Sequence, residues 1–371
     1  VSDRESSLRI FVAIVGSLLF GLTVANILKT LVIPGGYITK TARTIDHGVS
    51  FIYHMASGFR PNYEDKNALL TSQPAAVLFV QLSTWGIIFL LSTSMLLFPV
   101  VPNFGAAIRE AGASLMTLGF VATNRPWATF VDFTAAFTGM ILVALQIAYL
   151  PTLYAAYNKR ETEVTLLVAR AGRPAWGPEV LRRSRLGIVA DELPIIYLAW
   201  ERWSAQVAES HVSYPILLRF RSPGFATSWI TSLMAVLDAA AIHLSLAPSD
   251  APMQARLCLQ MGFSALRQIA RSLRISYDPD PLPTNPISIS LSEFAETVEM
   301  LRIVGFPIER SVEDAYRHFQ GWRVNYEAIV FRLCYEIDAL PAPWSGPRRW
   351  KNLDVDFPKF KNRTPENPSG S

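Results

Sequence analysis

Apolar residues fill three stretches of this chain almost without interruption, at 10–33, 74–98 and 133–157. After about residue 158 they thin into helical periodicity among charges. A helix needs about 20 apolar residues to cross a hydrocarbon core, and each stretch is that long. The second and third carry no Lys, Arg, Asp or Glu. One such residue at the centre of a span would cost roughly 2.5–3.5 kcal/mol. The first includes Lys29, close enough to its end to snorkel to the interface. It also carries Asn26 and lacks a small-residue cleavage pattern, so it reads as a retained span rather than a signal peptide.

Basic residues give the orientation. Lys159, Arg160, Arg170, Arg173, Arg182, Arg183 and Arg185 follow the third stretch, which places that end in the cytoplasm. Alternation then puts 99–132 outside and 35–67 inside, the latter with Lys40, Arg43, Arg60 and Lys66. Within that inner connection, Ile38, Ala42, Ile45, Val49, Ile52 and Met55 recur at helical spacing, with Lys40, Arg43 and Asp46 off the stripe. This predicts an amphipathic helix, either lying on the inner leaflet or packed on the cytoplasmic half. His47 and His54 share its spacing but have no third ligand, and read as interfacial polar residues.

Composition agrees with a membrane part followed by a soluble part. Half of the 371 residues are hydrophobic and 17% are charged. The formal net charge of +4 is concentrated after the third span, which points to membrane topology rather than nucleic acid. Cys258 and Cys334 are far apart, each in a helix-like pattern, and read as buried thiols. No phosphate-binding glycine loop, nucleophile–base order or supported carboxylate pair stands out, so no enzyme is expected.

The connection at 99–132 is too apolar for an ordinary outer loop. Asn103 is placed to cap a helix over 104–117, after which Leu118-Gly119-Phe120 follows. Non-helical backbone at membrane depth is tolerated only where protein covers it or water lines it.

Span, short helix, glycine-containing strand, span: this order resembles the pore module of the potassium-channel superfamily, whose filter reads Thr-Val-Gly-Tyr-Gly. Thr117, Leu118, Gly119 and Phe120 match its first four positions; Val121 stands where the second glycine would be, and Ala122 where an acidic residue often follows. The resemblance implies a homotetramer in which rings of backbone carbonyls replace the hydration shell of a monovalent cation, potassium by analogy. It makes the third span the pore-lining helix, with Gly139 as hinge, Pro151 as kink at the gate, and Thr134, Thr138 and Gln146 lining the cavity. A β-branched residue forced into a left-handed conformation is an outlier, so Val121 predicts a reshaped outer ion site.

From 159 onward the sequence predicts helices at 191–210, 228–246, 252–273, 291–304 and 312–338, with a proline-rich break at 277–286. The stretch 225–247 is apolar enough to raise a fourth span, but Asp238 and His243 favour a buried helix of a soluble bundle. The phrases at 169–174, 209–215, 221–223 and 319–327 resemble those of bacterial membrane proteins classed as potassium-channel-like, with a helical cytoplasmic domain. His211 with Glu209, and Arg323 with Glu327, are polar clusters that either bind a regulator or form structural pairs. The tail from Pro341 carries six prolines and is expected to be extended unless Trp344 and Trp350 dock it.

The expected architecture is therefore an all-α membrane protein in four parts. Residues 1–68 hold the first span and interfacial helix, 69–158 the pore module, 159–340 a cytoplasmic helical domain and 341–371 the tail. The expected function is a tetrameric cation channel with an atypical filter, gated through its cytoplasmic domain. It would sit in a bacterial inner membrane, with lipid and its own copies as partners, no nucleic acid and no cofactor. A non-conducting scaffold or sensor that keeps the pore fold is the alternative.

Overall fold

The computed structural model describes residues 2–33, 39–60, 63–186, 192–224 and 226–345, and every regular element among them is a helix. The chain forms two compact units, Val1–Asn158 with Ser210–Phe220, and Lys159–Glu209 with Arg221–Ser371. Residues 210–220, which lie within the expected segment 159–340, fold with the first unit.

In the first unit α1 (Ser2–Ile27) ends in a π-helical turn, Leu28–Val32. Then come α2 (Lys40–Gly58), α3 (Tyr63–Thr71), α4 (Gln73–Leu97) and α5 (Phe104–Leu115). α6 (Pro126–Ala171) begins here and continues past the unit boundary as one helix, roughly 70 Å long at 1.5 Å per residue. It extends beyond the expected 133–157 at both ends. Pro126 is suited to the first helical position, where no amide partner is needed, and Gly172 stops the helix with φ +78°. Pro151 lies inside it and removes one hydrogen bond, without ending the helix.

α1 and α4 pack at van der Waals distance because of Gly16. A β-carbon there would lie 2.7 Å from Cβ of Met95 and 2.9 Å from the carbonyl oxygen of Ser92. At one end of this pair the Trp85 indole donates to Oδ1 of Asn26 (3.2 Å), whose amide nitrogen donates to Thr41 (3.3 Å). At the other end Arg9 donates to the carbonyls of Phe98, Val101 and Pro102 and lies over the Phe98 ring. Those carbonyls follow the end of α4, the negative pole of its dipole, where a guanidinium is favoured.

α2 is amphipathic but its apolar stripe divides. Ala42, Ile45 and Val49 are turned inward or half covered, whereas Ile52 and Met55 stand exposed beside Phe51 and Phe59. Ile38 lies outside the described residues. Thr39 caps α2 by accepting from the amide of Ala42.

Among the described residues four helices are long and apolar enough to cross a bilayer. Three of them bury only 17–28% of their most apolar window, leaving broad apolar flanks such as Phe11, Ile14, Leu18 and Leu22 on α1. The fourth, α9 (Trp229–Leu246), has 94% of its window buried. Surrounded by protein on all sides, α9 is the core of the second unit.

Around α9 lie α7 (Gly177–Leu186), α10 (Met253–Leu273), α12 (Val312–Arg323) and α13 (Glu327–Glu336). α8 (Glu192–Ser213) contributes Tyr197, whose hydroxyl is 3.3 Å from Nδ1 of His243, and Trp203, whose indole donates to the carbonyl of Arg160. α11 (Leu291–Ile303) packs on α12 and α7, and opens with a capping box between Ser290 and Glu293. The expected helix 312–338 is two helices. The chain turns at Val324-Asn325-Tyr326, where the Asn325 amide donates to the carbonyls of Gly321 and Trp322. Asp191, the first residue of the expected helix 191–210, lies outside the described residues. The tail does dock at its start: Trp344 is buried against Phe319 and Trp176. Trp350 lies outside the described residues.

Candidate functional site

α5 folds back between α4 and α6. Near its start Ala107 and Ala111 share a cluster with Leu97 and Val101 beyond α4, and with Ala128 and Val131 of α6. At its end Leu115 packs with Trp85 and Phe89 of α4, Leu142 of α6 and Ile27 of α1. From Leu97 back to Trp85 is roughly 18 Å along α4, so α5 descends nearly its own length beside both long helices. Asn103 starts this descent as expected of its sequence, its side chain accepting from the amide of Ala106. Trp127 closes the top by donating to the carbonyl of Leu96.

The C-terminus of α5 is closed by a paired turn. Leu118 N–H donates to the carbonyl of Ala113 (2.7 Å) and Thr117 N–H to that of Ser114 (2.9 Å), with Thr117 at φ +56°. This is a Schellman arrangement with threonine where glycine is usual. Holding a β-branched residue there costs on the order of 1–3 kcal/mol. Gly119 follows at φ +65°, where the missing β-carbon removes that cost. Left-handed backbone therefore falls on alternate residues, Thr117 and Gly119. The strain expected at Val121 is not there: its φ is not positive, and Thr117 carries the strain instead. Met116, Leu118 and Phe120 are exposed in the single chain. Among the described residues no backbone amide donates to the carbonyls of 117–122.

A buried carboxylate holds the returning limb. Glu110, on the covered side of α5, accepts from both the amide and the hydroxyl of Thr123, each at 2.6 Å. The Ser114 hydroxyl donates to Asp132 at the start of α6, also at 2.6 Å. These four residues tie α5, the limb and α6 into one unit. With Glu110 buried, the exposed charges along α5 and the limb are Arg109 and Arg125.

The other expected positions separate. Gly139 is a point of close approach: a β-carbon there would overlap the carbonyl oxygen of Leu115, and α6 is regular helix on both sides of it. Thr134 and Thr138 spend their hydroxyls on the carbonyls of Phe130 and Thr134, one turn earlier. Gln146 lies about 120° round the helix from Thr134, on the side of Leu142 and Leu153. Pro151 is exposed on the lower part of α6.

That lower part is held by 210–220. Tyr149 meets Tyr214 edge-on at 5.6 Å, and Tyr154 and Tyr157 both contact Phe220. The 3-10 turn Pro215–Arg219 also packs on α4, and Arg219 makes a two-pronged ion pair with Asp46 of α2. His211 is fully buried, with the Ser210 hydroxyl 3.1 Å from its Nδ1, while Glu209 is exposed.

In the second unit Arg323 and Glu327 belong to a buried network rather than a surface cluster. Arg323 donates to Glu327 (2.6 Å), Asp238 (2.7 Å) and the carbonyl of Trp344 (2.6 Å), and Tyr326 donates to Asp238. Its guanidinium lies over the rings of Phe319 and Trp344.

Sequence reasoning missed Glu110, Thr123, the Ser114–Asp132 pair and Arg219. One signal was legible: Glu110 and Asp132 are the only acidic residues of 99–132, a segment otherwise built for an apolar setting. Comparison with family models, with curated proteins and with solved structures finds no match for this chain.

Proposed function

We propose that the chain is the subunit of a homotetrameric cation channel of potassium-channel type, with α5 as pore helix and 117–121 as an atypical filter. One observation carries this reading. The carbonyls of 117–122 lack backbone donors, and the loop begins where Leu115 meets Phe89 and Leu142, well inside the apolar length of α4 and α6. In a bilayer such polar groups require water, an ion or further copies of the chain. Four copies would supply the ring that a filter needs. The C-terminal end of α5, pointing at the loop, carries the negative end of a helix dipole and favours a cation there.

Gating follows from attachment. The segment 210–220 grips the lower part of α6, and the chain on either side of it belongs to the second unit. A rearrangement in that unit would reach α6 through this segment. The basic residues after the third span favour a cytoplasmic second unit, and the resemblance to bacterial potassium-channel-like proteins favours the inner membrane as the setting.

One observation favours a second reading, a scaffold that keeps the fold without conducting. The exposed charges by the loop are Arg109 and Arg125, whereas acidic rings serve cation channels. Reconstitution decides between them. Purified full-length protein in liposomes is expected to pass monovalent cations and not chloride, and Gly119→Asp to abolish the flux while the tetramer persists. A monomeric or dimeric mass in detergent, or no cation flux at either polarity, would overturn the channel.

A further inference from the structure

The outer face of α2 is left exposed by the described residues. Phe51, Ile52, Met55 and Phe59 are 57–82% exposed and fall within about 100° of one another around the helix. The opposite face is fixed. Ser50 accepts from the amide of Gln73 (2.8 Å), and Tyr53 lies 3.1 Å from the Ser72 hydroxyl. Those contacts set the height of α2 at the point where the uncharged run of α4 begins, just before Pro74. Thr41 and Thr39 tie its start to Asn26 and Thr30 of the preceding helix. Lys40, His47 and His54 line one edge of the exposed face, and Arg60 follows its end.

We propose that this face is seated in the surface layer of the membrane, with the four apolar side chains at the headgroup–acyl boundary and Lys40 and Arg60 at anionic headgroups. The physical ground is that a helix fixed at the end of an apolar span, with a wide apolar flank beside a basic edge, matches the interface on both counts. Asp46, on the fixed side, holds Arg219, so displacement of α2 in the leaflet is passed to the segment that grips α6. The inference rests on the membrane position of α1 and α4, and not on conduction.

The test uses full-length protein in vesicles containing anionic lipid, with a fluorophore at Met55→Cys or at His47→Cys. Cys258 and Cys334 are buried, and burial pushes the Cys258 thiol well above its ordinary range, so background labelling is low. Nitroxide lipids labelled near the headgroup are expected to quench the probe at 55 several-fold more than aqueous iodide does, and the preference to be smaller at 47, on the polar edge. Removing the anionic lipid should weaken the lipid quenching at 55. Free access of iodide to 55 would overturn the proposal. So would shielding of 55 from both quenchers, which would mean that the second unit or another copy covers the face. Neither result depends on ion flux.

Discussion

Gly139 of α6 lies against the carbonyl oxygen of Leu115, the last residue of α5, with no room for a β-carbon between them. The obstacle is backbone, which cannot swing aside. Gly139→Ala is expected to force the two helices apart and to cost about 1–3 kcal/mol, the range for overpacking. Gly86→Ala, with open space around it, is the control and should leave the melting temperature of the detergent-solubilised protein unchanged.

Glu110 and Thr123 should behave as one unit. Thr123→Val removes one hydrogen bond to the carboxylate, and Glu110→Ala leaves both donors of Thr123 without their acceptor. The Glu110 change is expected to cost more, about 1–3 kcal/mol, because two part-buried donors then lose their acceptor. The double variant should be less destabilised than the sum of the two. Additive losses in thermal melts would separate the residues.

The Asp46–Arg219 pair is bidentate, which ammonium geometry cannot reproduce. Asp46→Asn and Arg219→Lys should each raise amide hydrogen exchange in 214–220 several-fold, with little effect on exchange in α9. Unchanged protection there would mean that the tyrosine contacts alone hold the segment.

Arg323 neutralises two buried carboxylates, so removing it strands them. Arg323→Met is expected to destabilise the protein by about 3–5 kcal/mol. Adding Asp238→Leu should recover part of that loss, as read from denaturant midpoints of the full chain.

Glu179 predicts an acid limb. Burial raises its carboxyl, but hydrogen bonds and charge from Arg182 and Arg183 outweigh that and hold it below the ordinary value. A depressed carboxylate contributes stability above its unfolded pKa and loses it as pH falls through the folded one. Glu179→Gln should therefore be less stable than the parent near neutrality, and the difference should vanish below the usual carboxylate range. A pH-independent difference would show that packing, not charge, is responsible.

Much of the fold was legible because it follows from short-range chemistry. Uncharged runs gave three of the long helices, and Asn103 announced the start of α5 through a side chain that bonds its own backbone. The break at Val324-Asn325-Tyr326 was not legible, since the amphipathic period runs straight through it. Hydropathy alone did not separate α9 from a membrane span; Asp238 and His243 favoured a buried helix, and α7, α10, α12 and α13 do close around it.

For the loop, sequence alone put a short helix and a glycine-containing segment, expected as a strand, between two apolar helices; the structure makes that segment a turn followed by irregular backbone. Tertiary structure decided where the strain sits, at Thr117 rather than Val121, because the closing turn of α5 sets those angles. It also decided that Glu110 reaches Thr123, that Gly139 serves contact with Leu115, and that Arg219 meets Asp46 across 173 positions. Periodicity and capping act over a few residues and can be read along the chain. Which distant groups share a low-dielectric contact depends on how the helices pack, and no local pattern encodes it.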